Sequence, residues 1–108
     1  MAMTQHFEPI EPTRAEIDAT RGALVLEFGA PWCGYCQAAQ PLIERAFAQH
    51  QATSHLKIED GRGRPLGRSY RVKLWPTLVF LRDGQEVERL VRPNDAGAIE
   101  QALARIGG

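Results

Sequence analysis

The sequence predicts an α/β domain with a central mixed β-sheet of four to five strands and helices on both faces. Three observations carry this. Ala23-Leu24-Val25-Leu26-Glu27-Phe28 is almost wholly apolar and bounded by glycines, the pattern of a strand buried on both faces as in a parallel sheet. Ala38, Ala39, Leu42, Ile43, Ala46 and Phe47 then repeat at helical spacing. Later, Thr77 to Leu81 is a β-rich apolar run that leads into Arg82-Asp83-Gly84-Gln85, a hairpin turn that makes the next strand antiparallel.

The elements follow in order. Residues 1–12 carry Pro9 and Pro12 and no clear periodicity, so they form a loose lead-in with a short edge strand near Phe7 to Ile10. A single domain spans residues 13–108. Thr13 with Glu16 three residues on makes a capping box for a helix to about Thr20, stopped by Gly22. After the first strand, a long helix opens at Cys33 and ends near His50, with Pro41 kinking it from inside. Ser54 to Glu59 is the second strand, Asp60 to Pro65 a turn, and Leu66 to Arg71 a short helix. Glu86 to Val91 returns from the hairpin, and Asp95 caps a last helix with Ile99, Leu103 and Ile106 facing inward.

Composition narrows the function. Thirteen basic residues balance thirteen acidic ones, which argues against wholesale binding to nucleic acid or an anionic membrane. No run approaches the roughly 18 apolar residues of a membrane span. The first twenty residues have neither a basic n-region nor an apolar h-region, so a cytosolic location is expected; the chain is also expected to be a monomer. The stretch Lys57, Arg62, Arg64, Arg68, Arg71 and Lys73 reads as a solvated basic face; its other use would be steering acidic partners or glutathione. His50 and His55 are expected at element ends in water.

The two cysteines, Cys33 and Cys36, stand where a buried strand hands over to a helix. In a reducing compartment such a pair means redox or metal chemistry before it means a structural staple. A zinc site needs four N or S ligands, and His6, His50 and His55 lack finger-like spacing, so no metal and no cofactor are expected. A sulfur at a helix N-terminus faces unpaired N–H groups and the positive end of the helix dipole, which stabilise negative charge on it. Cys33 is therefore expected exposed at the tip as the attacking thiol, and Cys36 a turn deeper as the resolving one.

At these residues the chain resembles the thioredoxin family. The stretches that carry the resemblance are Leu24 to Phe28 leading into Trp32-Cys33-Gly34-Tyr35-Cys36, Pro41 in the following helix, Trp75-Pro76-Thr77, and Asp83-Gly84, which together cover roughly residues 13 to 106. The resemblance implies a thioredoxin fold and a thiol–disulfide oxidoreductase, working as a reductant on protein disulfides and re-reduced by a reductase or a thiol donor. It implies that Trp32 packs beside the redox pair, and that Pro76 follows a cis peptide bond and lies against the active disulfide. The backbone beside Pro76 is then similar to the edge that pairs with a substrate strand, so Trp32, Gly34, Tyr35, Trp75 and Pro76 are the substrate-binding candidates. Glu27 matches the buried aspartate that takes and returns the proton of the second cysteine, and joins Cys33 and Cys36 as a catalytic candidate.

Departures from the family pattern also stand out. Tyr35 replaces the usual proline between the cysteines, and Gly29 replaces a frequent tryptophan and is expected to open the surface. Trp75 is bulkier than the usual aliphatic residue, and Arg92-Pro93 occupies a loop where a glycine lets a partner approach. The alternative function is a redox-sensitive or non-enzymatic interaction module on the same fold, but a scaffold would not need the cysteine pair with Glu27 and Pro76 beside it.

Overall fold

A computed structural model describes residues 3–107. Eight elements follow one another: α1 (Arg14–Asp18), β1 (Ala23–Gly29), α2 (Gly34–Phe47), β2 (Ser54–Glu59), α3 (Pro65–Ser69), β3 (Thr77–Arg82), β4 (Gln85–Val91) and α4 (Ala96–Arg105). The four strands form one mixed sheet in the order β2-β1-β3-β4. β1 pairs parallel with β2 and antiparallel with β3, and β3 pairs antiparallel with β4. The expected edge strand near Phe7 is a single parallel bridge to Lys57.

The alternation of a strand splits the core into two layers. Val25, Leu78 and Phe80 face α2 and α4 and meet Ile43, Phe47, Ile99 and Leu103 there. Leu24, Leu26, Phe28, Val79 and Leu81 face the other way, onto Ile17 of α1 and Leu66 and Tyr70 near α3. Each large side chain buried this way contributes about 1.5–3 kcal/mol. β1 is buried on both faces because it lies between β2 and β3 with helices above and below.

Local signals set the boundaries. Thr13 and Glu16 form the reciprocal capping box. The hairpin turns on Asp83 at φ 52° and Gly84 at φ 80°, the paired positive angles of a two-residue primed turn. Gly84 is also required by space, since a Cβ there would lie 2.1 Å from the Asp18 carbonyl oxygen. Three helices end earlier than their spacing predicts, α1 at Asp18 rather than about Thr20. α2 stops at Phe47 rather than near His50, and α3 stops at Ser69 because Arg71 sits at φ 58°, outside helical space.

Candidate active site

β1 ends at Gly29, and the chain turns through Ala30-Pro31-Trp32, where the Cys33 N–H donates to the Ala30 carbonyl at 3.2 Å. Cys33 then caps α2, and its Sγ accepts the Cys36 backbone N–H at 3.1 Å. Both cysteines are free thiols. Burial first, then the hydrogen bond with Cys33, pushes the Cys36 thiol from 9.0 up to about 12, and the negative charge of Glu27 adds to the rise. The expectation of an exposed Cys33 is corrected: it is 6% exposed against 4% for Cys36. The cause is Trp75, whose side chain packs over the cluster of Ala30, Cys33 and Cys36. Gly29 does not open the surface as expected either, because a Cβ there would meet Cys36 Sγ at 2.6 Å.

The Trp75–Pro76 peptide is cis, and Pro76 is buried at the start of β3. Trp75 is held at both ends: its Nε1–H donates to Asp60 Oδ2 at 2.9 Å, and its carbonyl accepts Arg92 Nε–H at 2.8 Å. Trp32 stands edge-on to Trp75 with centroids 5.5 Å apart, and 73% of it remains in solvent. Gly34 and Tyr35 form the exposed first turn of α2 between the cysteines.

Beneath this surface lies a polar group of four side chains, three of them buried and Gln40 half-buried. Glu27 is 1% exposed. Its Oε1 lies 2.9 Å from His55 Nε2, and its Oε2 accepts Gln40 Nε2–H at 2.8 Å. Lys57 Nζ lies 4.0 Å from Oε2 and donates to Gln40 Oε1 at 3.2 Å. His55 Nδ1 accepts the Thr4 N–H, so the other nitrogen carries the proton toward Glu27 when the ring is neutral. Register explains the gathering: Val25 pairs with His55 and Glu27 with Lys57, so the alternate residues of β1 and β2 share the face under α2. His55 is thus buried mid-strand and not in water, with its ring stacked on Phe47 at 4.9 Å; His50 is half-buried just past α2. A cavity of about 40 Å³ bordered by Cys36, Gln40 and Lys57 brings the deeper thiol and two holders of Glu27 to one space.

The Thioredoxin family model matches residues 11–105. The chain belongs to the thioredoxin family. It is 36% identical over 81 residues to Thioredoxin-2 of Saccharomyces cerevisiae, covering 75% of this chain and 77% of that one. The TPR repeat-containing thioredoxin TDX of Arabidopsis thaliana is 36% identical over 93 residues, which cover 86% of this chain but 24% of that longer protein. Among solved structures, thioredoxin 2 of Pseudomonas aeruginosa PAO1 in its reduced form is 51% identical, with a TM-score of 0.85 and 96% of each chain covered. With the cysteine pair intact, this thioredoxin-family chain is a thiol–disulfide oxidoreductase.

Sequence reasoning missed His55, Gln40 and Asp60, whose places depend on strand register and loop packing that no local pattern encodes. The basic stretch is also not one solvated face. Lys57 turns inward to Glu27, while Arg64, Arg68, Arg71 and Lys73 surround a separate cavity of about 350 Å³ that Asp60 borders. Among the described residues, no helix is long and apolar enough to cross a membrane.

Proposed function

We propose that this thioredoxin-family protein is a cytosolic, monomeric protein-disulfide reductase in which Cys33 attacks, Cys36 resolves and Glu27 moves the proton. The Cys33 thiolate attacks one sulfur of a substrate disulfide. A mixed disulfide forms, and the other substrate sulfur leaves as a thiolate. Cys36 then attacks Cys33 Sγ, closing the Cys33–Cys36 disulfide and releasing the second substrate thiolate. The substrate gains two electrons and the protein loses two, which a reductase or a small dithiol restores. The balanced charge of the chain fits a soluble protein acting on other proteins and gives no support to nucleic acid or membrane binding.

The observation that carries this reading is the unequal setting of the two thiols. Their exposures differ too little to separate them. The helix does separate them: Cys33 Sγ, at the N-cap, receives the Cys36 N–H from the first turn of α2, whereas the Cys36 thiol is held protonated at about 12. A thiol so reluctant to ionise needs a base when it attacks, and Glu27 is the buried carboxyl whose charge it feels. Trp75 packs on both cysteines with Pro76 joined to it by the cis peptide, and on this reading Trp32, Gly34 and Tyr35 present the surface that meets a substrate.

Dithiothreitol-driven reduction of insulin disulfides tests the scheme. The protein is expected to catalyse it, Cys33→Ser to abolish it, and Cys36→Ser to accumulate mixed disulfides. A Cys33→Ser protein as active as the parent overturns the assignment. The reduction potential decides the direction, with about −270 mV expected for a reductant and about −120 mV marking an oxidant.

A further inference from the structure

We propose that Arg92 is a specificity determinant that selects substrate segments bearing a carboxylate beside an apolar side chain, an inference that rests on the reductase reading above. Two departures from the family pattern, Tyr35 and Arg92, meet in space. The Arg92 guanidinium carbon lies 3.8 Å from the Tyr35 ring centroid, and its Nε–H holds the Trp75 carbonyl at 2.8 Å. Tyr35 follows Cys33 by two residues, and Trp75 covers both cysteines. One cation therefore bridges the two walls of the reactive sulfur.

The backbone holds Arg92 there firmly. Its N–H donates to the Pro76 carbonyl at 2.8 Å, and its φ of 51° is left-handed, an angle that a non-glycine residue adopts only where its surroundings fix it. Stacking and the Nε bond use one face and one N–H of the guanidinium. Its four terminal N–H groups have no acceptor and no carboxylate within 4.0 Å among the described residues, and the residue is exposed. A planar cation with a free fork matches a carboxylate in a two-bond geometry.

Next to it lies a groove of about 340 Å³ between α2 and the loop after β4. Tyr35 and Arg92 form its lip, and Ala38, Leu42 and Pro93 give it apolar walls. The occupant that fits is a stretch of a protein disulfide substrate. Its cysteine sits on Cys33, an apolar side chain lies in the groove, and an Asp or Glu side chain reaches the outer edge of Arg92.

The test uses acetylated and amidated disulfide peptides in which a single Asp, Asn or Lys is scanned from three residues before the reacting cysteine to three after it. Second-order rate constants for reduction by the pre-reduced protein are measured by stopped flow. At one position Asp is expected to react about threefold to fivefold faster than Lys at low salt, the range of one exposed ion pair. The ratio should shrink as salt is raised. Arg92→Gln should bring it to within about 1.5-fold of one, and Arg92→Lys, which keeps the charge but not the fork, should retain part of it. A flat scan in the parent, or an unchanged ratio in Arg92→Gln, overturns the proposal. Reduction that proceeds with a flat scan sinks this inference alone, while no reduction of any peptide sinks it together with the reductase reading.

Discussion

Replacing Glu27 with Gln keeps the shape of the buried group and removes its charge and its basicity. The effect on the resolving step can be worked from the Cys36 thiol. At about 12 instead of 9.0, its thiolate is rarer by about three decades at neutral pH. A more basic thiolate is a better nucleophile, and a Brønsted slope of about 0.4–0.5 returns roughly half of that loss. The net handicap is at most about 30-fold, since the parts of the rise that come from the Cys33 thiol and the Glu27 charge are absent from the mixed disulfide of the Gln variant; on the proposed scheme Glu27 offsets it by taking the proton as Cys36 attacks. Glu27→Gln is therefore expected to lengthen the life of the mixed disulfide severalfold, up to about 30-fold, at pH 7 without slowing its formation. Rapid acid quench followed by mass measurement of the Cys33 adduct reads both steps. In the Gln variant, which lacks the Glu27 charge that helps raise the thiol, the resolving rate should climb about tenfold per pH unit to a plateau below 12, while the parent changes less. A lifetime within twofold of the parent, or a loss confined to adduct formation, refutes the reasoning.

Other outcomes follow from the same geometry. His55→Ala removes a buried partner of Glu27 and of the Thr4 N–H, so it should cost about 1–3 kcal/mol in urea unfolding, and a change under 0.5 would deny the contact any weight. Thr13→Ala removes the capping-box acceptor and should cost about 1 kcal/mol by the same measurement. The reduced protein should lose stability as pH rises above 9. There the unfolded chain releases the Cys36 proton while the folded chain keeps it until about 12, so the folded state binds more protons across that window. Cys36→Ser should flatten this decline, as followed by thermal unfolding between pH 8 and pH 10.5.

Legibility in the sequence followed the range of the forces involved. Contacts within a few residues were readable: the Thr13–Glu16 box, the Asp83-Gly84 turn, the Asp95 cap and the inward face of Ile99 and Leu103 all stand as their spacing implies. The mixed sheet followed from the apolar run of β1 and the hairpin. What depended on pairing across the sheet was out of reach. Which face of β2 carries His55 and Lys57 is set by its one-residue register against β1, and shifting it by one would send both to the opposite face. The burial of Cys33 was equally hidden, since it comes from an indole brought from about forty residues away. Arg92 was visible only as an oddity of sequence; its meaning lies in the ring and the carbonyl it touches.

The first residues described run beside β2, with Glu8 N–H bonded to the Lys57 carbonyl, Phe7 under the Lys57 ammonium at 4.8 Å, and Thr4 bonded to His55. An outermost strand otherwise offers its open row of amides to any passing chain. Here the polypeptide hems its own border, and the same stitches fasten the two residues that flank the Glu27 carboxylate. A protease that trimmed this hem would slacken the hold on Glu27 and at the same time open the border to pairing with another chain, from a point remote from either sulfur.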